Sequence, residues 1–321
     1  MNTITIKPTI IIPSHNQLNL LKNALQSLEV QTWDLERLEV IVVDDGSQDG
    51  TGDFLRSYAG KLQLRPVFHL EAKGRAGARN AGLRIATGDP IILLDGDMEM
   101  APTFIEAHVS VGNGDSAVLG KVEYHPDIRR SALTRYYPSR GAWRRKPLSK
   151  IPGRYFVTLN VSFPRWAFEK VGLFDENFRG YGGEDLDYGM RLQKAGIPFR
   201  ISNQALSYHN HLRTLPDILA TLREYGKNAI PYLLEKHPEL LYEMKLSMAI
   251  PLKLMTTKSF PLIWKNLLVR MVSGGFIYYP LMWLARLLES YWIPGWLMNY
   301  LIFRNYCRGY LAYLRDKQVN N

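Results

Sequence analysis

Three short runs of aliphatic, largely β-branched residues, each followed at once by a polar cluster, constrain this chain more than any other feature. Residues 9–12, 38–43 and 90–94 are too short and too evenly apolar for surface helices, and they suit strands buried on both faces. Residues 17–28 carry apolar side chains at helical spacing between the first two runs, and the helix-like stretch 76–86 precedes the third. Strands alternating with helices predict an α/β fold with a mostly parallel sheet and right-handed crossovers. Such sheets bind ligands at the carboxyl ends of their strands. The polar clusters fall there: Ser14, His15 and Asn16, then Asp44 to Asp49, then Asp95 to Asp97.

The third cluster is the most pointed. Asp95 and Asp97 are two carboxylates one residue apart, and Gly96 between them lets a ligand approach, an arrangement able to share a hard divalent cation and a sugar hydroxyl. A lone Asp-x-Asp is more often a solvated turn, but here a second acidic strand end, 43–51, accompanies it. The segment 74–82, Gly-Arg-Ala-Gly-Ala-Arg-Asn-Ala-Gly, is glycine-rich and basic and leads into a helix, so arginine forks and N-terminal amides could meet a diphosphate there. Ordinary packing explains that segment equally well.

The ordered series Ile-Pro-Ser-His-Asn (12–16), Val-Asp-Asp-Gly-Ser (43–47), Arg-Asn-Ala-Gly (79–82) and Leu-Asp-Gly-Asp (94–97) resembles glycosyltransferase family 2, with its GT-A fold, over residues 8–212. Downstream, Val-Gly-Leu-Phe-Asp-Glu (171–176) and Gly-Tyr-Gly-Gly-Glu-Asp (180–185), followed by Arg191, are similar to the acceptor-side motif of β-1,4-galactosyltransferases and chondroitin-polymerase-like enzymes. The resemblance implies roles. Pro13 and Ser14 would line the nucleoside pocket, Asp45 would bond the base, and Arg79 would lie near the base or diphosphate. Asp95 and Gly96 would face the ribose or donor sugar, while Asp97 and His209, rather than His211, would hold a metal. Imidazole with carboxylate suits Mn²⁺ somewhat better than Mg²⁺. Asp185 would be the general base of an inverting transfer and Glu184 would orient the acceptor, with the glycines before them leaving room for a sugar. A plain helix start accounts for Glu184, Asp185 and Asp187 as well. Processive synthases of the superfamily carry Gln-x-x-Arg-Trp after the base. Arg165-Trp166 precedes the Glu-Asp block and lacks that glutamine, so single-sugar transfer is expected.

Charge and aromatics divide the chain near residue 212. Residues 213–321 hold 14 Lys and Arg against 7 Asp and Glu, and residues from 245 onward contain four of the seven Trp and seven of the 18 Tyr. The expectation is a GT-A domain over 1–212 and a mainly helical, aromatic, basic region over 213–321. The uncharged runs 271–285 and 291–303 are shorter than the roughly 20 residues of a membrane span. Their Lys, Arg, Trp and Tyr suit a helix in the interface of an anionic leaflet; a helical subdomain or homo-oligomer interface is the other reading. The basic stretch 136–153, with Arg144, Arg145 and Lys146, reads as a lid over donor and acceptor, or as a solvated loop.

One cysteine, Cys307, excludes an internal disulfide and a zinc ligand set, and the N-terminus lacks a signal-peptide pattern. A cytoplasmic enzyme, peripheral on the inner face of the cell membrane, is therefore expected, taking a nucleotide-sugar donor, with UDP preferred, and a glycan or lipid-linked acceptor. Nucleotidyl transfer would call for a glycine-rich basic turn after the first strand, which 12–18 lacks. A degenerate sugar-nucleotide-binding module is the remaining alternative, and no nucleic-acid reading motif accompanies the positive charge.

Overall fold

The computed structural model describes residues 6–140, 142, 151–178, 180–248, 263–264, 266, 271 and 275–319. Arg144, Arg145 and Lys146 of the expected lid, and parts of the run 271–285, lie outside the described residues. Contacts divide the chain into two compact units: Met1–Arg129 with Tyr137–Asn177 and Glu184–Leu212, and Arg130–Tyr136 with Phe178–Gly183 and Arg213–Asn321. Two short segments from before residue 212 thus group with the second unit.

The first unit is built on an eight-stranded sheet of β1 Thr9–Ser14, β2 Glu39–Asp45, β3 Leu64–His69, β4 Ile91–Leu94, β5 Met98–Met100, β6 Ala117–Tyr124, β7 Asn160–Phe163 and β8 Phe199–His209, in the order β3-β2-β1-β4-β7-β6-β8-β5. The expected strands are β1, β2 and β4, which pair in parallel with β3 at one edge. Beyond β4 the sheet mixes: β7 runs antiparallel to β4 and β6, and β8 runs parallel to β6 with β5 antiparallel at the edge. These directions bring the ends of β1, β2, β4, β6 and β8 and the start of β7 to one side. Helices α1 Leu18–Glu29, α2 Thr51–Arg56, α3 Gly74–Ile85 and α4 Phe104–Gly112 fill the connections. Ile10, Ile12, Val40 and Val42 pack with Leu21, Leu25 and Leu28 of α1, while Ile11, Ile41 and Val43 face the core that includes Ala78 and Leu83 of α3. Burial on both faces is the reason these strands are apolar without alternation.

α5 Ala132–Tyr136 belongs to the second unit, and α6 Arg165–Val171 and α7 Glu184–Lys194 to the first. The second unit continues with α8 Leu215–Lys236, α9 Leu240–Glu243, α10 Gly275–Leu288 and α11 Gly295–Val319. Thr214 caps α8 by accepting from the Asp217 amide, and Pro216 occupies its first turn. α8 and α11 cross with backbones touching, because Gly226 faces the Tyr306 carbonyl and Gly309 faces that of Arg223; a Cβ at either would collide. No helix among the described residues is long and apolar enough to cross a membrane.

Candidate active site

Parallel pairing of β1 with β2 and β4 aligns the three expected polar clusters along one edge. The second cluster is spent largely on holding its own turn. Asp44 accepts the Ser47 amide (3.0 Å), and Asp49 accepts the Leu18 amide (2.8 Å) and the Thr51 hydroxyl (2.6 Å). Asp45, expected to bond the base, is 7% exposed and accepts from the Lys73 and Gly74 amides (both 2.9 Å), with His69 Nδ1 at 2.7 Å. The Lys73 and Gly74 amides at the start of α3 thus satisfy Asp45, a buried carboxylate that would be costly to leave unpaired. His15 Nδ1 reaches the Asp45 carbonyl (2.7 Å), and Ser14 Oγ is buried without a hydrogen-bond partner among the described residues. Pro13 and Gly96 are close neighbours: a Cβ on Gly96 would lie 3.2 Å from the Pro13 carbonyl oxygen.

Arg79, expected near the base or diphosphate, has a guanidinium 2% exposed that ties together three carboxylates, Asp95 Oδ1 (3.0 Å), Glu184 Oε1 (3.1 Å) and Asp185 Oδ1 (3.4 Å). The physical reason is its place on the inward face of α3, between Ala78 and Asn80 and equally buried, where only paired charge is tolerated. Burial works against the Arg79 charge, yet Asp185, Asp95 and Glu184 together outweigh it and hold the guanidinium more firmly protonated than usual. Asn80 performs the matching task one residue on. Its amide donates to the Phe174 carbonyl (2.9 Å) and the Glu176 carboxylate (2.7 Å), and it accepts from the Phe174 amide (2.8 Å). The dipeptide Arg79-Asn80 thus fastens both downstream motifs, 171–176 and 184–185, to α3.

Asp185 opens α7 with its side chain 22% exposed. Thr158, just before β7, donates its hydroxyl (3.0 Å) and its amide (3.2 Å) to the two Asp185 oxygens. Burial raises the Asp185 carboxyl most, Arg79 pulls it down, and Glu184 and Asp95 raise it again, leaving it pushed up to about 7. Asp187, the third acid of that turn, is a structural residue paired with Arg191 Nε (2.9 Å), and Arg191 in turn donates to the Val171 and Leu173 carbonyls. The helix-start reading therefore holds alongside the site reading. Gly180, Gly182 and Gly183 all have positive φ, and a Cβ on Gly183 would lie 2.6 Å from the Phe178 ring, so backbone shape alone demands these glycines. Arg165 and Trp166 bond to backbone carbonyls at Ala86 and Gly114, away from these carboxylates.

On the far side of the sheet, pairing of Met98 with His209 across β5 and β8 sets Asp97 against His209, with Oδ2 to Nε2 at 3.3 Å. Burial opposes the Asp97 charge, but the hydrogen bond and charge of His209 outweigh it and keep the carboxyl below the usual range; Asp97 raises His209 against its own burial. Asp97 Oδ1 and His209 Nδ1 are both buried with no hydrogen-bond partner among the described residues. Among the described residues no three His, Cys, Asp or Glu side chains converge as a metal cluster. Two protein donors with unspent lone pairs nonetheless fit a cation that takes its other ligands from substrate phosphates. Thr158 and the clamping role of Asn80 escaped sequence reasoning. Asn80 had a signal in its adjacency to Arg79; Thr158 had none.

Residues 9–169 match the family profile described as Glycosyl transferase family 2. The chain belongs to glycosyl transferase family 2. A second profile, the N-terminal domain of galactosyltransferase, matches residues 143–215, which contain the Glu-Asp block and His209. Validoxylamine A glucosyltransferase of Streptomyces hygroscopicus subsp. jinggangensis (strain 5008) is 33% identical over 268 residues, covering 74% of this chain and 62% of that protein. Hyaluronan synthase of Pasteurella multocida is 31% identical over 270 residues, covering 71% of this chain and 28% of its own. This family 2 chain therefore spans under two thirds of the length of either. A mannosyltransferase from Pyrobaculum calidifontis, solved in complex with GDP-Man and Mn²⁺, superposes with a TM-score of 0.65 at 21% identity, covering 98% of this chain and 89% of that one. The fold is GT-A with a C-terminal helical region.

Proposed function

We propose that this chain is a glycosyltransferase that moves a single sugar, with inversion, from a nucleotide-diphosphate donor, UDP-linked in preference, to a glycan or lipid-linked acceptor. The observation that carries the reading is the Arg79 cluster, in which one buried guanidinium fixes Asp95, Glu184 and Asp185 as a unit. Asp95, Gly96, Pro13 and Ser14 border the donor, and Glu184 orients the acceptor through its rigid hold on Arg79. Asp185 takes the proton from the acceptor hydroxyl as that oxygen attacks the anomeric carbon. A base pushed up to about 7 is well matched to this task at neutral pH, because it is partly ionised yet basic enough to drive the transfer. Thr158 holds the carboxylate in place by binding both of its oxygens. Asp97 and His209 would hold the divalent cation, Mn²⁺ in preference, whose chemistry is to neutralise the leaving diphosphate.

Residues 1–212 would form the transferase domain and 213–321 a region that lies on a membrane surface. Supporting the second part, α10 exposes Phe276, Tyr279, Trp283 and Leu287 at 96, 71, 65 and 55%, spaced to form one stripe, in a region with twofold basic excess. Calorimetry with a panel of nucleotide sugars, with and without Mn²⁺, tests the reading. Manganese-dependent binding of one UDP-sugar, abolished in Asp97→Asn, is the expected result; folded protein that binds no nucleotide sugar would sink it.

A further inference from the structure

A cavity of about 330 Å³ lies beside the Asp97–His209 pair and has no part in the reading above. Val122 of β6, Val157, Leu159, Tyr137, Tyr155 and His209 are among the residues that line it. Most of the exposed lining is carbon; Arg140 and Arg154 also line it, while Glu123 is paired with Lys121 (2.6 Å) and the Asn160 amide is bonded to the Lys121 and Ala205 carbonyls. Val157 and Leu159 flank Thr158, whose hydroxyl and amide hold Asp185. The cavity is therefore one residue from the group that holds the candidate base, and it reaches the candidate metal pair.

The wall chemistry decides what part of an acceptor can stay. A pyranose ring carries hydroxyls that lose their hydrogen bonds to water on entry, and carbon walls return few of them. An aliphatic chain loses nothing polar and gains about 0.8 kcal/mol per buried methylene. At roughly 30 Å³ per non-hydrogen atom, the volume holds about ten carbons.

We propose that this cavity binds an aliphatic chain attached to the acceptor, so that the acceptor class is an amphiphile whose apolar aglycone enters beside His209 while its hydroxyl meets Asp185. The proposal rests on the glycosyl-transfer reading of Asp185 and narrows its acceptor.

Calorimetry with n-alkyl β-glucosides from butyl to octyl, each below its micelle-forming concentration, tests it. The wild type should bind about fourfold more tightly for each added methylene, the factor that ~0.8 kcal/mol corresponds to. Val157→Trp, at a position 44% exposed and so tolerant of bulk, should flatten the series to within twofold while UDP binding and thermal melting stay as in the wild type, and Val122→Trp, on β6 and packed partly against the core, should flatten it likewise in protein shown to bind UDP. A flat wild-type series, or a slope that survives in both variants, overturns the proposal. Failure of the glycosyl-transfer reading looks different: no nucleotide sugar binds, whatever the alkyl series does.

Discussion

The two units treat their large aromatic side chains in opposite ways. In the first, Phe104, Phe156, Phe163 and Tyr188 are fully buried, and Phe174 stacks on Tyr188 at 4.1 Å behind the Arg79 cluster. In the second, Phe276, Tyr279, Trp283, Tyr291, Trp292 and Trp296 are each more than half exposed. The charges are opposite too. Arg79 and its three carboxylates are withdrawn from water and bonded to one another, whereas α10 and α11 present Arg and Lys among the exposed rings. A sheet covered by helices closes its own core and can afford a small set of buried charges only where each is paired. A helical face left open keeps its apolar surface available for something outside the chain.

Breaking the buried side of this contrast should have the largest effect. Arg79→Met leaves three carboxylates without their cation and should cost about 3–5 kcal/mol, the cost of stranding buried charge. Urea unfolding checks this, and a loss below 1 kcal/mol would mean that Arg79 is not the hub. Asp185→Asn comes next: removal of a general base lowers turnover by about 10²–10⁴, with nucleotide affinity unchanged by calorimetry. Wild-type turnover in that variant would remove Asp185 from the reaction.

The pH dependence sharpens the same point with a smaller effect. Asp185 must be ionised to accept a proton, so the transfer rate should climb as pH rises through about 7 and then level off. Stability should move the other way. The folded carboxyl holds its proton to about 7 and the unfolded one only to about 4, so the native state binds the extra proton between those values, and stability falls as pH rises across that window. Both trends should vanish in Asp185→Asn; a stability slope unchanged by that substitution would assign the proton to another group. The smallest effect belongs to the exposed side. Replacing Tyr279 and Trp283 together by Ser should weaken sedimentation with anionic vesicles about tenfold, as expected for two rings only partly buried in a leaflet, and should leave turnover on a water-soluble acceptor unaltered. Unchanged sedimentation would turn attention to a protein partner for that face.

The sequence by itself determined the parallel half of the sheet, because β1, β2 and β4 are short apolar runs whose burial on both faces needs no distant information. It determined the order of the polar strand ends, the helix that begins at Glu184, and the split in composition near residue 212. The antiparallel half was not legible: β5 and β7 have only three and four residues, and β6 and β8 pair with strands far away in sequence. The roles within the site were decided by tertiary structure alone. Arg79 reads as a phosphate ligand in isolation, since an arginine in a glycine-rich helix start has no partner within its own segment. Only the docking of α7 and β4 against α3 brings Glu184, Asp185 and Asp95 within 3.4 Å of it. The end of β2 likewise gives Asp45 to the Lys73 and Gly74 amides, and the segment before β7 lets Thr158 reach Asp185. Charge pairing between residues a hundred positions apart is a property of the folded sheet, and no local spacing encodes it.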